Sequence, residues 1–195
     1  MTKEKLKILP KIARLAIKEE FEGRKLIDRG EWVAKYPWLE EKRATFVTLN
    51  LKGKPKGASL RGCIGSILPY RPMIDDVVEN AKSAAFKDPR FPPLTPEEFP
   101  LVEIEVSVLT IPQKVEYDSI ADLKQKIKPF KDGVILQLGN HQATFLPAVW
   151  EQLPLFELFF AHLCNKAGLP GDCLMYHPTI YKYQAIEIKE EEGEE

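Results

Sequence analysis

Val102-Glu103-Ile104-Glu105-Val106-Ser107-Val108 alternates apolar and polar side chains without a break. Successive side chains of a strand point to opposite faces, so this stretch predicts a strand that buries Val102, Ile104, Val106 and Val108 and turns Glu103, Glu105 and Ser107 away from the core. Such a strand needs a sheet beside it and helices to cover its apolar face, and the sequence upstream supplies both. Phe46-Val47-Thr48-Leu49-Asn50-Leu51 reads as a second strand, Lys52 to Gly57 as turn chemistry, and Leu60 to Leu68 as the returning arm of a hairpin. Apolar residues recur at helical spacing from Pro10 to about Arg24, with Pro10 suited to the first turn, and again over Asp75 to Phe86. Trp32 to Trp38 reads as a loop between them.

Downstream, Asp118 to Ile127 predicts a helix with an acidic cap, and Val134 to Leu138 with Gln142 to Phe145 predicts a second hairpin around Gly139-Asn140-His141. Pro154 opens a helix running through Lys166 and stopped near Gly168, and Ile180 to Ile188 reads as one late strand. The expected class is therefore α+β, a mixed or antiparallel β-sheet flanked by helices. Residues 1–189 are read as a single domain, with room for a larger body and a small lobe, and the acidic residues 190–195 as a disordered tail.

Composition narrows the function classes. The chain has 195 residues, 44% of them apolar, enough for a core without metal or disulfide support. Its 28 basic and 29 acidic side chains leave a net charge of −1, so any contact with nucleic acid must be local. Cys63, Cys164 and Cys173 are odd in number and widely spaced, with no ligand cluster around them, so neither a disulfide framework nor a metal site is expected. No run approaches the ~18 apolar residues that span a bilayer, and a cytoplasmic setting without membrane contact is the expectation.

The chemistry centres on Leu60-Arg61-Gly62-Cys63-Ile64-Gly65. Gly62 and Gly65 let the backbone bend or let a ligand approach, and Arg61 and Cys63, two apart, would share one strand face. A guanidinium beside a thiol favours thiolate, so this pair suggests a nucleophile or an anion holder; a packed structural strand is the alternative. If the Val102–Val108 strand lies near this one in the sheet, Glu105 or Glu103 is placed to hold Arg61 in a two-pronged contact, with Ser107 on the same polar face; an ordinary solvated sheet face is the alternative. Asp88-Pro89-Arg90-Phe91 adds an acid, a cation and an aromatic on a proline-stiffened loop. Lys52, Lys54 and Lys56 read as a solvated hairpin tip, and His141, His162 and His177 as surface or structural histidines.

The hexapeptide resembles the signature of the AMMECR domain family. Ala84 to Leu94, Val102 to Leu109, Gly133 to Leu136, Thr144 to Pro147 with Val149-Trp150-Glu151, and Leu163 to Leu169 resemble further blocks of that family in the same order, together covering most of residues 10 to 188. Ala148 departs from the glutamine expected between proline and valine. The resemblance implies a larger sheet-and-helix body, a smaller α/β lobe and a cleft beside the hexapeptide, in a fold compared with nucleotide- and nucleic-acid-binding folds. It implies no reaction and no cofactor, and suggests a pathway shared with Memo-like proteins of dioxygenase fold and radical-SAM proteins. Two readings follow. In one the protein is an enzyme acting on a nucleotide, RNA or other anionic substrate, with Cys63, Arg61 and Glu105 as catalytic residues and Gly62, Gly65, Asp88, Arg90, Phe91 and Ser107 binding the ligand. In the other the same cleft belongs to a non-catalytic adaptor that recognises a nucleotide, nucleic acid or protein.

Overall fold

The computed structural model describes residues 1–55 and 57–191. In chain order the regular elements are α1 (Leu9–Glu22), α2 (Arg29–Lys35), β1 (Thr45–Leu51), β2 (Leu60–Gly65), α3 (Met73–Phe86), β3 (Val102–Leu109), β4 (Gln113–Lys114), α4 (Ile120–Lys126), β5 (Gly133–Leu138), β6 (His141–Phe145), α5 (Phe156–Lys166), β7 (Thr179–Tyr183) and β8 (Ala185–Lys189). They form two compact units, one holding Met1–Leu109 and the chain from Ile186 onward, the other Thr110–Ala185. Each has its own antiparallel sheet, and the fold is α+β.

The first unit carries a sheet of order β2-β1-β3-β8. The alternation that opened the sequence reading is realised: Val102, Ile104, Val106 and Val108 are buried with Val47 and Leu49 of β1. Helices α1 and α3 contribute Ile12, Ala13, Ile17, Val77, Ala81 and Ala84 to the same core. Helix α1 has Pro10 in its first turn and ends on Gly23, whose left-handed φ of 65° lets its N–H reach the Glu19 carbonyl at 2.8 Å. The Trp32–Trp38 segment is not all loop. Asp28 accepts the Glu31 N–H and starts α2 there, a cap signal that the short apolar pattern did not reveal.

The second unit carries the order β4-β7-β5-β6 over a core of Trp150, Phe159, Phe160, Leu163 and Ile180. Trp150 stacks on Phe159 at 3.7 Å and donates its indole N–H to the Asp132 carbonyl. The cap of α4 is Ser119, which accepts from Asp122 N–H, while Asp122 Oδ2 accepts from Asp118 N–H; the acidic cap expected at Asp118 is thus a Ser–Asp exchange one residue on. The single strand predicted over Ile180 to Ile188 breaks at Gln184 into β7 and β8, which belong to different sheets. Gln184 is held at the break by reciprocal bonds with Thr110, N–H to Oγ1 and carbonyl to N–H, each 2.8 Å.

Two further expectations are corrected. Cys164 and Cys173 form a disulfide: α5 ends at Lys166, and Gly168 just beyond it, with a φ of 81°, turns the chain back so that the two Cα atoms stand 5.9 Å apart. The acidic tail is ordered at its start, where Glu190 pairs with Arg14 and accepts the Ile104 N–H, and Glu191 pairs with Lys7. Residues 192–195 lie outside the described residues, as does Lys56 of the lysine turn. No helix among the described residues is long and apolar enough to cross a membrane.

Candidate functional site

β2 is an edge strand, and an edge strand presents N–H and carbonyl groups that its one neighbour does not use. At Cys63 both are taken by the loop that follows α3. Asp88 Oδ2 accepts the Cys63 N–H at 3.0 Å, and Arg90 Nη2 donates to the Cys63 carbonyl at 3.3 Å. Arg90 also forks onto Asp88, Nε to Oδ1 at 3.0 Å and Nη2 to Oδ2 at 2.8 Å. The Arg90 guanidinium beside Asp88 holds its carboxyl down to about 2, helped by the Cys63 N–H, and Asp88 in turn raises Arg90. Asp88 is buried whereas the Arg90 side chain is 54% exposed.

Arg61 does not join this group. The β1–β2 register passes from Leu49 opposite Gly62 to Asn50 opposite Leu60, which leaves Arg61 as the extra residue of a bulge, and a bulge re-aims its side chain. The expectation that Arg61 and Cys63 share a strand face fails for this reason. Arg61 is 6% exposed and grips Glu98, Nε to Oε2 at 2.7 Å and Nη2 to Oε1 at 3.1 Å, while Nη2 also donates to the Pro92 carbonyl. The carboxylate partner is therefore Glu98, not Glu103 or Glu105. Arg61 holds the Glu98 carboxyl down to about 2, aided by the Thr95 N–H. Phe91 lies beside both cations, its ring centre 5.7 Å from the Arg61 guanidinium carbon and 5.5 Å from that of Arg90.

Cys63 falls in a cross-strand row with Thr48 and Glu105, read from the registers of β1 with β2 and β3. Its Sγ lies 3.1 Å from Thr48 Oγ1, and the residue is half-buried. Burial pushes the thiol up, Asp88 and Glu105 add to that, and Thr48 and Arg90 oppose it without prevailing. A depressed, thiolate-favouring pKa is the opposite of what this environment produces. The three histidines all lie in the other unit. His141 Nδ1 contacts the Ala167 carbonyl, His177 stacks on Tyr117 and contacts its carbonyl, and His162 is on α5.

The glycines of the hexapeptide make room for protein. A Cβ on Gly62 would stand 2.2 Å from the Ala84 carbonyl oxygen, so α3 crosses against bare backbone there. A Cβ on Gly65 would stand 2.2 Å from the Phe46 ring, which covers it. Ser107, opposite Phe46 across β1 and β3, is buried.

One polar cluster escaped the sequence reading. Buried Asp76 accepts from Thr45 N–H and Oγ1, from Ser66 Oγ, from Arg71 Nε and from Asn80 Nδ2 at 2.6–3.0 Å. It ties the residue after the hexapeptide to α3 and to the start of β1. The signal was present, since Asp76 and Asn80 are polar residues four apart beside the apolar stripe of α3.

A family model described as AMMECR1 matches residues 10–188. The chain is 40% identical to a protein of Methanothermobacter thermautotrophicus over 200 residues, covering 99% of this chain and 97% of the relative. It is 41% identical to a protein of Thermococcus onnurineus over 190 residues, covering 94% and 89%. The crystal structure of uncharacterized protein PH0010 from Pyrococcus horikoshii superposes with a TM-score of 0.90 at 36% identity, covering 98% of this chain and 94% of that one. Sequence and fold agree along nearly the whole length, and the chain belongs to the AMMECR1 family.

Proposed function

We propose that the protein is a non-catalytic binding module whose ligand is anionic and phosphate-bearing, a nucleotide or a nucleic-acid backbone, held at Arg90 beside β2. The observation that carries this reading is the state of Arg90: its guanidinium is half-exposed yet fixed by the Asp88 fork and the Cys63 carbonyl, with Nη1 outside those contacts. A cation held in one orientation before binding loses little rotamer freedom when an oxyanion arrives. Thiol chemistry at Cys63 has less support, because burial raises the thiol and Thr48, its hydrogen-bonding neighbour, is no general base. In a pathway shared with Memo-like and radical-SAM proteins, such a module would hold a ligand without transforming it.

The test is calorimetric titration with AMP, ATP, a ten-nucleotide RNA, neutral adenosine and inorganic phosphate. The phosphate-bearing compounds should bind and adenosine should not. Arg90→Ala should weaken binding at least tenfold, while Cys63→Ser stays within twofold. Undiminished affinity in folded Arg90→Ala, or loss of a detected turnover in Cys63→Ser, would sink the proposal.

A further inference from the structure

The chain leaves α4 through Lys128-Pro129-Phe130-Lys131, a β-turn of the second unit closed by the Lys131 N–H on the Lys128 carbonyl at 3.3 Å. Pro129 takes the second position, which its fixed φ suits, but the third holds Phe130 at a left-handed φ of 66°. That place ordinarily belongs to Gly or Asn, and a bulky side chain there is strained. No packing compensates the strain. Phe130 is 61% exposed, belongs to neither core, and has no ring or cation stacked on it among the described residues.

The turn is pinned at its base. Buried Asp132 accepts the Lys128 N–H on Oδ2 at 2.8 Å, and its own N–H reaches the Lys128 carbonyl at 3.0 Å. Its carbonyl takes the indole N–H of buried Trp150 at 2.8 Å, which ties the turn to the core of the second unit. The backbone that carries the ring is therefore set before anything meets it, and little freedom is lost when a ligand does.

The charges about the turn do not balance. Lys114 pairs with Glu116 at 3.6 Å, Lys124 with Glu157 at 2.8 Å and Lys126 with Asp122 at 3.1 Å, so each of those acids already has its lysine. Asp118 lies before the opposite end of α4, and the oxygens of Asp132 are taken by the Lys128 N–H and the Gln184 amide. Lys128, Lys131 and Lys182 are left without a carboxylate among the described residues. The first two are exposed at the ends of the turn, whose Cα atoms lie within about 7 Å of each other as in any β-turn. Lys182 reaches across from β7, its Nζ on the Lys126 carbonyl at 3.2 Å, just ahead of the turn. Three such cations on and beside an open ring select a ligand that carries both a π-face and phosphates.

We infer that this turn is a contact for single-stranded nucleic acid, one base stacking on Phe130 while neighbouring phosphates meet Lys128, Lys131 and Lys182. A duplex keeps its bases stacked on one another and offers the ring no free face. A lipid surface would meet one ring, where binding strength grows with the apolar area inserted. The contact is local, as a net charge of −1 requires, and it shares no residue with the Arg90 proposal. It accounts for a weaker attachment of RNA that persists when Arg90 is removed.

The test is fluorescence anisotropy of labelled ten-nucleotide oligouridine at low salt, with the full chain carrying Arg90→Ala so that the other proposed anion contact is absent. An abasic ten-mer with the same phosphates should bind at least fivefold more weakly, the low end for one base on one ring. Phe130→Gly should remove that difference without lowering the urea midpoint, since glycine suits the left-handed position, and Phe130→Trp should keep the difference. The slope of log affinity on log salt should be about −2, as for three phosphates of a single strand, and Lys128→Gln/Lys131→Gln should flatten it by more than half. Equal binding of the two oligomers, no binding of either, or a Phe130→Gly variant that binds as before or is destabilised would each overturn the inference. So would Phe130-dependent binding to phosphatidylserine vesicles without binding to oligouridine. Oligouridine binding in this background is independent of whether the wild type binds AMP, so the two proposals fail separately.

Discussion

Gly62 and Gly65 make room for different things, and their substitutions should separate accordingly. The atom facing a Cβ at Gly62 is backbone of α3, which cannot turn aside, whereas Gly65 faces the ring of half-buried Phe46. Gly62→Ala should therefore cost about 2–3 kcal/mol, the upper end of overpacking, and Gly65→Ala less, as read from urea midpoints. Arg61 has a sealed environment with Glu98 as its partner. Arg61→Ala should cost about 2 kcal/mol through loss of the charge-assisted hydrogen bonds to Glu98, whose carboxylate solvent still reaches, and Arg61→Lys should recover little, because an ammonium cannot form the two-pronged contact. The same pair sets an acid dependence. Glu98 is held at about 2 when folded, below its ordinary 4.5, so its contribution is complete above the ordinary value and is lost as pH falls through the folded one. Stability measured from pH 6 to 2 should decline across that window, and Glu98→Gln should flatten the decline. For Cys63 the direction is opposite: alkylation by iodoacetamide should reach half its limiting rate above the ordinary thiol value of 9.0, and a midpoint below it would restore the nucleophile reading.

At the scale of elements, the instructive case is the edge of β2. A loop seals it with side chains where another strand would have used backbone, and Asp88 carries the seal through the Cys63 N–H. Asp88→Ala should raise hydrogen exchange at the Cys63 amide at least tenfold while amides of β3, in the sheet interior, stay protected; equal protection in both proteins would show that the loop seals the edge without the carboxylate. Most elements were legible from periodicity and caps. α1, α3, β1, β3 and the β5–β6 hairpin follow the predicted ranges within a few residues. Helix α2 escaped because seven residues are too few for a 3.6-residue period to declare itself, and its Asp28 cap lies ahead of the Trp32–Trp38 stretch read as loop. The bulge at Arg61 escaped because it arises from pairing with β1, and no single strand encodes how it will be paired.

For the whole molecule, the Cys164–Cys173 disulfide closes a short loop within the second unit, worth roughly 2–3 kcal/mol by loop-closure entropy. Reduction should lower protection against hydrogen exchange in Thr110–Ala185 and leave the β1–β3 amides unchanged; a uniform loss across the chain would show the two units unfolding as one. The bond was missed because cysteine counting looks for paired spacings, and only the reversal at Gly168 brings these two together. The sequence by itself determined the α+β class, the strand alternation at Val102 to Val108, most helices and the location of the hexapeptide, because side-chain periodicity and turn chemistry are local properties of a chain. Tertiary structure decided the rest: which carboxylate holds Arg61, that the Ile180 to Ile188 stretch divides between two sheets, that the hexapeptide glycines admit α3 and Phe46, and that Cys63 is a raised thiol beside Thr48. Each depends on what lies across a strand or beneath a helix, and such neighbours come from residues distant in the chain, whose register no local pattern specifies.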